Sequence, residues 1–248
     1  MKTSKYNYDV IVIGGGHAGV EAACSSARMG SKTLLITHKI DKIGEMSCNP
    51  AIGGLGKGHL VKEIDALDGL MAKATDLSCI QFRMLNSSRG AAVRGPRAQN
   101  DRVLYKNAII GLIKKYSGLD LLEGSVEDLI ISKKQVSGVV LGDNTKIHSK
   151  TVVLTTGTFL RGLIRVGSEK QEAGRVGDKP SIKLANRLKE LKFSIGRLKT
   201  GTPPRLLKKT INFNDLDEQH PDKKPVPFSF INRDIHIPQI SCFITHTN

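Results

Sequence analysis

Short apolar runs and amphipathic stretches alternate at the start of the chain, a pattern typical of an α/β fold. Residues 8–13 are apolar, rich in β-branched side chains and followed by three glycines, which predicts a buried parallel strand. Helix-forming residues over 20–29 and the apolar run Thr33–Thr37 predict a helix and a second strand. This strand–helix–strand order predicts a ligand at the carboxyl ends of the strands.

The middle of the chain predicts a long loop, two helices and further strands. Residues 39–58 hold too much Gly and Pro for a helix or strand, so we expect a functional loop there. Helical spacing follows in two stretches separated by an arginine-containing loop at 86–97. The predicted helices are residues 59–75 and 101–116. The predicted strands are residues 119–122, 126–132, 136–141 and 151–156, the last returning to the first sheet.

These patterns predict a Rossmann-like α/β domain over residues 1–160, including the Gly-rich loop 39–58 and a β excursion at 119–149. The composition then shifts to Gly-rich and charged, with isolated strand-like pieces between prolines. We expect residues 161–248 to begin a second, inserted β-rich substrate domain that is cut at its C-terminal end. Within it we expect a helix at 181–191 and a rigid turn at 201–205. The last residues show no natural ending, so we expect a truncated, N-terminal portion of a longer protein.

The charge balance favours a polyanionic partner. Lys and Arg total 38 against 23 Asp and Glu, which gives a formal net charge of +15. Such an excess attracts phosphates and gains from counterion release, although a solvated basic surface would show the same composition. Apolar runs stay well below the roughly 20 residues that cross a bilayer, and the start is unlike a secretion signal. These features predict a cytoplasmic protein without membrane contact.

A glycine motif follows the first predicted strand. Gly14, Gly16 and Gly19 have the spacing G-x-G-x-x-G, and a predicted helix begins behind them. In that context the glycines permit a tight turn, close approach to a pyrophosphate and close helix packing. The end of the second strand, Thr37 to Lys39, holds no ribose-binding carboxylate. The motif alone is therefore compatible with both FAD and NADP.

Cys48 is the candidate nucleophile, because it lies in the Gly-rich loop near the expected cofactor edge. A thiolate there could add to an electron-poor ring if cations such as Lys57 and Lys62 lie nearby. The competing interpretation is an inert packed thiol. The other cysteines lie in helical or strand-like contexts, form no CxxC pair and are interpreted as packing residues. They are Cys24, Cys79 and Cys242.

Arginines bracket the predicted loop 86–97 and the helix start behind it. Arg94, Arg97 and Arg102 are candidate contacts to RNA phosphates, and the alternative is that they are solvated surface charges.

Several long strings resemble the MnmG (GidA) flavoproteins, which help install the carboxymethylaminomethyl group on the wobble uridine of certain tRNAs. The most specific are SCNPAIGG at residues 47–54 and LKTGTPPR at 198–205. Others extend the resemblance along essentially the whole chain: GGGHAG at 14–19, RAQNDRVLY at 97–105, VEDLI at 126–130, VVLTTGTFLRG at 152–162 and GRVGDKPSI at 174–182.

The resemblance implies an FAD-binding Rossmann-like domain. It implies FAD contacts at Gly14, Gly15, Gly16, His17, Ala18, Gly19, Val126 and Ser181, and it matches Cys48 to a cysteine implicated in the family's chemistry. That cysteine would add at carbon 6 of the uridine or position bases. The family uses NADH as reductant and methylenetetrahydrofolate as one-carbon source, and it acts on tRNA with a GTPase partner subunit. The full-length protein is expected to be a homodimer, with the NADH and GTPase regions largely outside this chain.

Two other functions stay open at this stage. One is an FAD- or NADP-dependent oxidoreductase of a small molecule, and the other is a non-catalytic fragment that binds FAD. The related folate-dependent tRNA uracil methyltransferases lack the CNPAIGG and LKTGTPPR strings, which argues against that nearby family.

Overall fold

The computed structural model describes the backbone of residues 3–247 and the side chains from Tyr8 onward. The strands in chain order are β1 (Thr3–Ile13), β2 (Thr33–Thr37), β3 (Ala51–Gly53), β4 (Cys79–Leu85), β5 (Gly95–Asn100), β6 (Leu119–Glu123), β7 (Val126–Ser132), β8 (Gln135–Leu141), β9 (Lys146–Leu154), β10 (Leu163–Val166), β11 (Glu169–Glu172), β12 (Asp217–Gln219) and β13 (Cys242–Ile244). The α-helices are α1 (His17–Arg28), α2 (Lys57–Ala66), α3 (Met71–Asp76), α4 (Arg102–Ile113) and α5 (Ile182–Glu190).

The chain forms two compact units, each built from two separate segments. The first unit joins the chain up to Gly44 to residues 113–198, and the second joins residues 45–112 to the chain from Lys199 onward. These units do not follow the domain boundary that the sequence predicts at residue 160. The first unit continues past that residue to Leu198, and residues 45–112 belong to the second unit. The first reason is that α5 packs on β7 and buries Leu184 in the core of the first unit. The second reason is that residues 45–112 build a sheet of their own.

A six-stranded sheet in the order β6-β2-β1-β9-β8-β7 forms the first unit. Its central pairings, β1 with β2 and β9, and β2 with β6, are parallel. Ile11, Leu35 and Ile36 are almost fully buried, as expected for strands covered on both faces. The predicted strands β1 and β2 and the helix between them are confirmed, and so is the α/β class with a parallel sheet.

The predicted β excursion is an antiparallel meander of β7, β8 and β9. Lys133 and Lys134 turn the first hairpin with positive φ values of 52° and 64°, as two-residue hairpin turns require. β6 is not part of this meander, because it pairs in parallel with β2 at the sheet edge. β9 pairs with β8 near its start and continues in parallel beside β1.

The second unit contains an antiparallel sheet in the order β3-β5-β4 that lies partly in segments predicted as loops. The loop predicted at 39–58 includes β3, and the loop predicted at 86–97 ends inside β5. The single helix predicted at 59–75 is wrong: it is two helices, α2 and α3. They separate at Asp68, whose φ of 67° is incompatible with a continuing α-helix.

Two buried carboxylates anchor the irregular C-terminal segment of the second unit. Asp76 accepts hydrogen bonds from the amides of Phe228 and Ser229 and from the side chain of Asn232. Asp65 accepts a hydrogen bond from the amide of Phe230. This segment is thus held by side-chain acceptors, by backbone hydrogen bonds from Asp222 and Ile240 to β4, and by the short pairing of β12 with β13. Across the described residues, we find no helix with both the length and the apolar character needed to span a bilayer.

Candidate cofactor and thiol sites

The glycine motif forms a tight turn between β1 and α1. Gly14 has a φ of +111°, a conformation open to glycine, and its amide donates to the Ile36 carbonyl at 2.8 Å. Thr155, which follows β9, donates its hydroxyl to the carbonyls of Ile13 at 2.8 Å and Gly14 at 3.2 Å. The turn is therefore fixed to the strands on both sides of β1.

The glycines of this turn serve different purposes. A Cβ at Gly15 would lie 2.8 Å from the Thr37 hydroxyl, and a Cβ at Gly19 would overlap the Gly14 carbonyl oxygen. A Cβ at Gly16 would meet no atom within 4 Å, and Gly16 is exposed at the N-cap of α1. Helix N-termini carry unpaired amides and a positive partial charge. The open position at Gly16 therefore fits a phosphate cradle.

The remaining residues of the motif begin α1. His17 is half-buried as the first helical residue, and Ala18 beside it is exposed. Val20 closes the first turn by donating its amide to the Gly16 carbonyl at 2.9 Å.

The end of β2 receives a carboxylate from the neighbouring strand. Glu123 pairs with Thr37 across the sheet, and its side chain accepts a hydrogen bond from the Ile40 amide at 3.0 Å. The sequence around β2 gives no signal for this residue, because the acid lies on β6 and reaches Thr37 only through strand pairing. Lys39 lies 4.0 Å from Asp178, which Arg175 approaches more closely at 2.9 Å. The Lys39 side chain is half-exposed, so this pairing does not decide between FAD and NADP.

Val126 and Ser181 lie in the same unit as the glycine turn. Val126 is buried at the start of β7, in a cluster that includes Leu184 of α5. Ser181 is buried and donates its amide to the Phe159 carbonyl at 2.8 Å. The Phe159 ring also contacts His38 edge-on at 5.2 Å, and burial lowers the pKa of His38. Phe159 thus connects Ser181 to the end of β2.

Cys48 is half-buried in the loop before β3, and three side chains converge on it. The Thr202 hydroxyl donates to Sγ at 3.9 Å. Arg102 donates to the Cys48 carbonyl at 2.7 Å. Arg205 donates to the carbonyls of Ser47 at 3.3 Å and Cys48 at 3.5 Å. All of these residues belong to the second unit.

Two cations that contact the Cys48 backbone are Arg102 and Arg205, which come from distant parts of the sequence. Lys62 donates to the Pro227 carbonyl at 2.9 Å and lies over the Phe230 ring. Burial lowers the pKa of Lys57. Thr202 and Arg205 could not be assigned to this site from the sequence, since they are more than 150 positions from Cys48. The one local feature that marks their segment is the predicted rigid turn with its two prolines.

The three candidate phosphate-binding arginines have different surroundings. Arg94 donates through Nε to the Arg89 carbonyl at 3.1 Å. Arg97 lies in the central strand β5, opposite Gly53. Arg102 begins α4 and reaches Cys48, and burial together with the charge of Arg205 lowers its pKa. The three side chains therefore do not form a single uniform patch.

Two of the other three thiols, Cys24 and Cys79, are more deeply buried than Cys48. Cys24 and Cys79 are fully buried, and desolvation raises their pKa values to about 12 and about 11. Cys242 is half-buried, and burial raises its pKa as well. Inert packing is consistent with these environments.

Comparisons with known proteins agree along nearly the whole chain. Residues 9–248 match the family model described as glucose inhibited division protein A. The chain is 58% identical over 243 residues to the tRNA uridine 5-carboxymethylaminomethyl modification enzyme MnmG of Granulibacter bethesdensis, covering 97% of this chain and 39% of that protein. It also matches the form I crystal structure of Aquifex aeolicus GidA with a TM-score of 0.92 and 43% identity, over 96% of this chain and 41% of that one.

A more distant match is the GidA-related protein from Thermus thermophilus, with a TM-score of 0.54 and 21% identity. That match covers 74% of this chain and 68% of that protein, and it shows a shared fold. The chain spans about two fifths of the length of the MnmG and Aquifex relatives.

Proposed function

The chain belongs to the glucose inhibited division protein A family, and on that premise we propose that it is the FAD-binding part of an enzyme that modifies carbon 5 of the wobble uridine in tRNA. The observation that carries this proposal is the 58% identity to a tRNA uridine modification enzyme over 97% of this chain. The glycine turn supports it independently, because its geometry fits a dinucleotide phosphate.

We assign the phosphate cradle to the turn of Gly14, Gly15, Gly16, His17, Ala18 and Gly19. Exposed Gly16 lets the phosphate approach the helix N-terminus, while Gly14 and Gly19 keep the turn tight. Val126 and Ser181 are assigned as further FAD contacts in the same unit. FAD, when bound, supplies the redox chemistry for transfer of the one-carbon unit. The family resemblance favours FAD over NADP.

Cys48 is assigned as the catalytic thiol. Its Sγ adds at carbon 6 of the uridine, which makes carbon 5 nucleophilic, or it positions the base. Thiolates are the nucleophilic form of cysteine and need a cationic, partly exposed environment. Cys48 is half-buried and has Arg102 and Arg205 at its backbone carbonyl, whereas Cys24 and Cys79 are fully buried.

The excess of positive charge is assigned to tRNA binding, with Arg94, Arg97 and Arg102 as phosphate contacts. Family resemblance supports methylenetetrahydrofolate as carbon source, NADH as reductant, a GTPase partner subunit and a homodimer for the complete protein. We assign the activity to the cytoplasm, where its tRNA substrate is found.

The proposal is tested by incubating the purified chain with FAD and unmodified tRNA, and measuring flavin occupancy and RNA retention together. We expect a yellow protein with the absorbance of bound FAD and salt-sensitive tRNA binding. NADP in place of FAD serves as the cofactor control. A colourless protein that retains NADP would favour the small-molecule oxidoreductase. Flavin binding without tRNA binding in the chain and in a form completed to the length of its relatives would reject the tRNA substrate.

A further inference from the structure

The loop that carries Cys48 is held mainly by side chains from one distant segment. Thr202 reaches the sulfur atom, and Arg205 reaches the Ser47 and Cys48 carbonyls. Arg102, at the start of α4, also donates a hydrogen bond to the Cys48 carbonyl. The two arginines thus hold the backbone of Cys48 in place. The Thr202 hydroxyl orients the sulfur atom.

The donor segment is stiff for a reason that is visible in its sequence. Pro203 and Pro204 separate Thr202 from Arg205, and each proline restricts φ to about −65°. A residue before proline is also confined to extended conformations, so Thr202 has little freedom. The two side chains are therefore presented at a fixed separation, although the segment belongs to no helix or strand.

Neither side chain is needed for packing. Thr202 and Arg205 are both exposed, and substitutions of exposed side chains away from special features change stability little. Their contacts with the Cys48 loop give them a role at the thiol rather than in the core.

We propose that Thr202 and Arg205 are positioning residues for the Cys48 thiol. The importance of that role for catalysis rests on the proposed function of Cys48. The hydroxyl donor of Thr202 holds the sulfur in one direction, so the thiol meets a reactant in a defined orientation. Arg205 contributes a positive charge at the same loop and anchors its backbone.

The first test measures alkylation of Cys48 by iodoacetamide in the 248-residue chain, resolved by peptide mass spectrometry. Thr202→Val keeps the shape of the side chain but removes the donor, and Thr202→Ser keeps the hydroxyl. We expect the Cys48 rate to fall about threefold to tenfold in Thr202→Val, the scale of one lost hydrogen bond, and to stay within about twofold in Thr202→Ser. Equal rates in the two variants would overturn the role of Thr202.

The second test compares anionic iodoacetate with neutral iodoacetamide at Cys48. The ratio of the two rates reports local positive charge and is insensitive to loop mobility. We expect Arg205→Gln to lower that ratio about twofold or more, and Arg205→Lys to preserve it, because an exposed charge still contributes a fraction of a kilocalorie. An unchanged ratio in Arg205→Gln would overturn the role of Arg205.

Buried Cys24 and Cys79 serve as internal monitors in both tests. If Cys24 or Cys79 is labelled, the variant has opened its fold. In that case the conservative variants decide the result, because Thr202→Ser keeps the hydroxyl and Arg205→Lys keeps the positive charge. A Cys48 rate in Thr202→Ser as low as in Thr202→Val rejects the proposal. The assay requires neither added flavin nor tRNA and measures neither, so its failure would leave the proposed function untouched. A failure of flavin or tRNA binding would likewise leave the positioning role untouched.

Discussion

Gly19 approaches the carbonyl oxygen of Gly14 so closely that a side chain at position 19 would overlap it. This contact closes the turn between β1 and α1 from within. Gly16 has the opposite environment, because a Cβ there would meet no protein atom within 4 Å. Two glycines of one motif therefore have separable roles, one in the fold and one in the ligand site.

Gly16→Val is expected to abolish FAD retention without unfolding the chain. The backbone φ of −74° at Gly16 suits any residue, and the new side chain enters open space in the protein. That space is where we place the pyrophosphate. The measurement is flavin absorbance after purification, with circular dichroism for the fold. The matched control, Gly19→Val, should lose the fold itself, and a Gly16→Val protein as yellow as the parent would refute the cradle.

The affinity for tRNA is expected to fall steeply as salt rises. With a formal net charge of +15, binding releases counterions from the phosphates, so the logarithm of the binding constant should fall linearly with the logarithm of salt. Titration between low and physiological salt measures the slope. If Arg94 contacts a phosphate, Arg94→Gln should reduce the magnitude of this slope by about 1, the contribution of one phosphate contact. A flat salt dependence would contradict the polyanion assignment.

Cys48→Ser is expected to remove activity while leaving binding intact. Serine changes the volume little but is a much weaker nucleophile at neutral pH. In a form completed to the length of its relatives, uridine modification should fall by about a hundredfold or more, the scale of losing a catalytic group. FAD content and tRNA affinity should match the parent. Modification at the parental rate would identify Cys48 as a packed loop thiol, and loss of flavin would make its role structural.

Cys24 is expected to make the protein sensitive to alkali. Burial raises its pKa from 9.0 to about 12, so the folded chain keeps a proton that the unfolded chain releases. The free energy of unfolding should therefore fall as pH rises above 9.0, by at most about 1.4 kcal/mol per pH unit, and the loss should end near pH 12. Denaturant titrations should show a smaller loss in Cys24→Ala. Parallel pH profiles for the two proteins would contradict this expectation.

Local signals were enough to predict the opening of the first unit, but not the placement of β6 and α5 in it or the sheet of the second unit. β1, α1 and β2 follow one another along the chain, and each has the hydrophobic period of its own structure. β5 has no such signal: its sequence GPRAQN contains Pro96 and polar residues, and it becomes a strand because β3 and β4 pair with it on both sides. The break at Asp68 was equally hidden, since apolar residues keep helical spacing across it.

The candidate sites divide in the same way. The glycine turn could be predicted, because strand, motif and helix are adjacent in the sequence. The surroundings of Cys48 could not, since Thr202 and Arg205 reach it only through the folding of the second unit. Glu123 is a similar case, because strand pairing alone brings it to the end of β2.

The pairing of β1 with β9 also determines when the central sheet can be completed during synthesis. β1 and β2 are synthesised first, but the strand that lies on the other side of β1 follows roughly a hundred residues later, about 5–20 s at ordinary rates of elongation. During that interval Ile11 and its neighbours have one open edge that pairs with nothing else in the finished sheet. Until Lys146–Leu154 emerges, this edge of β1 carries unpaired backbone groups that can pair with other chains.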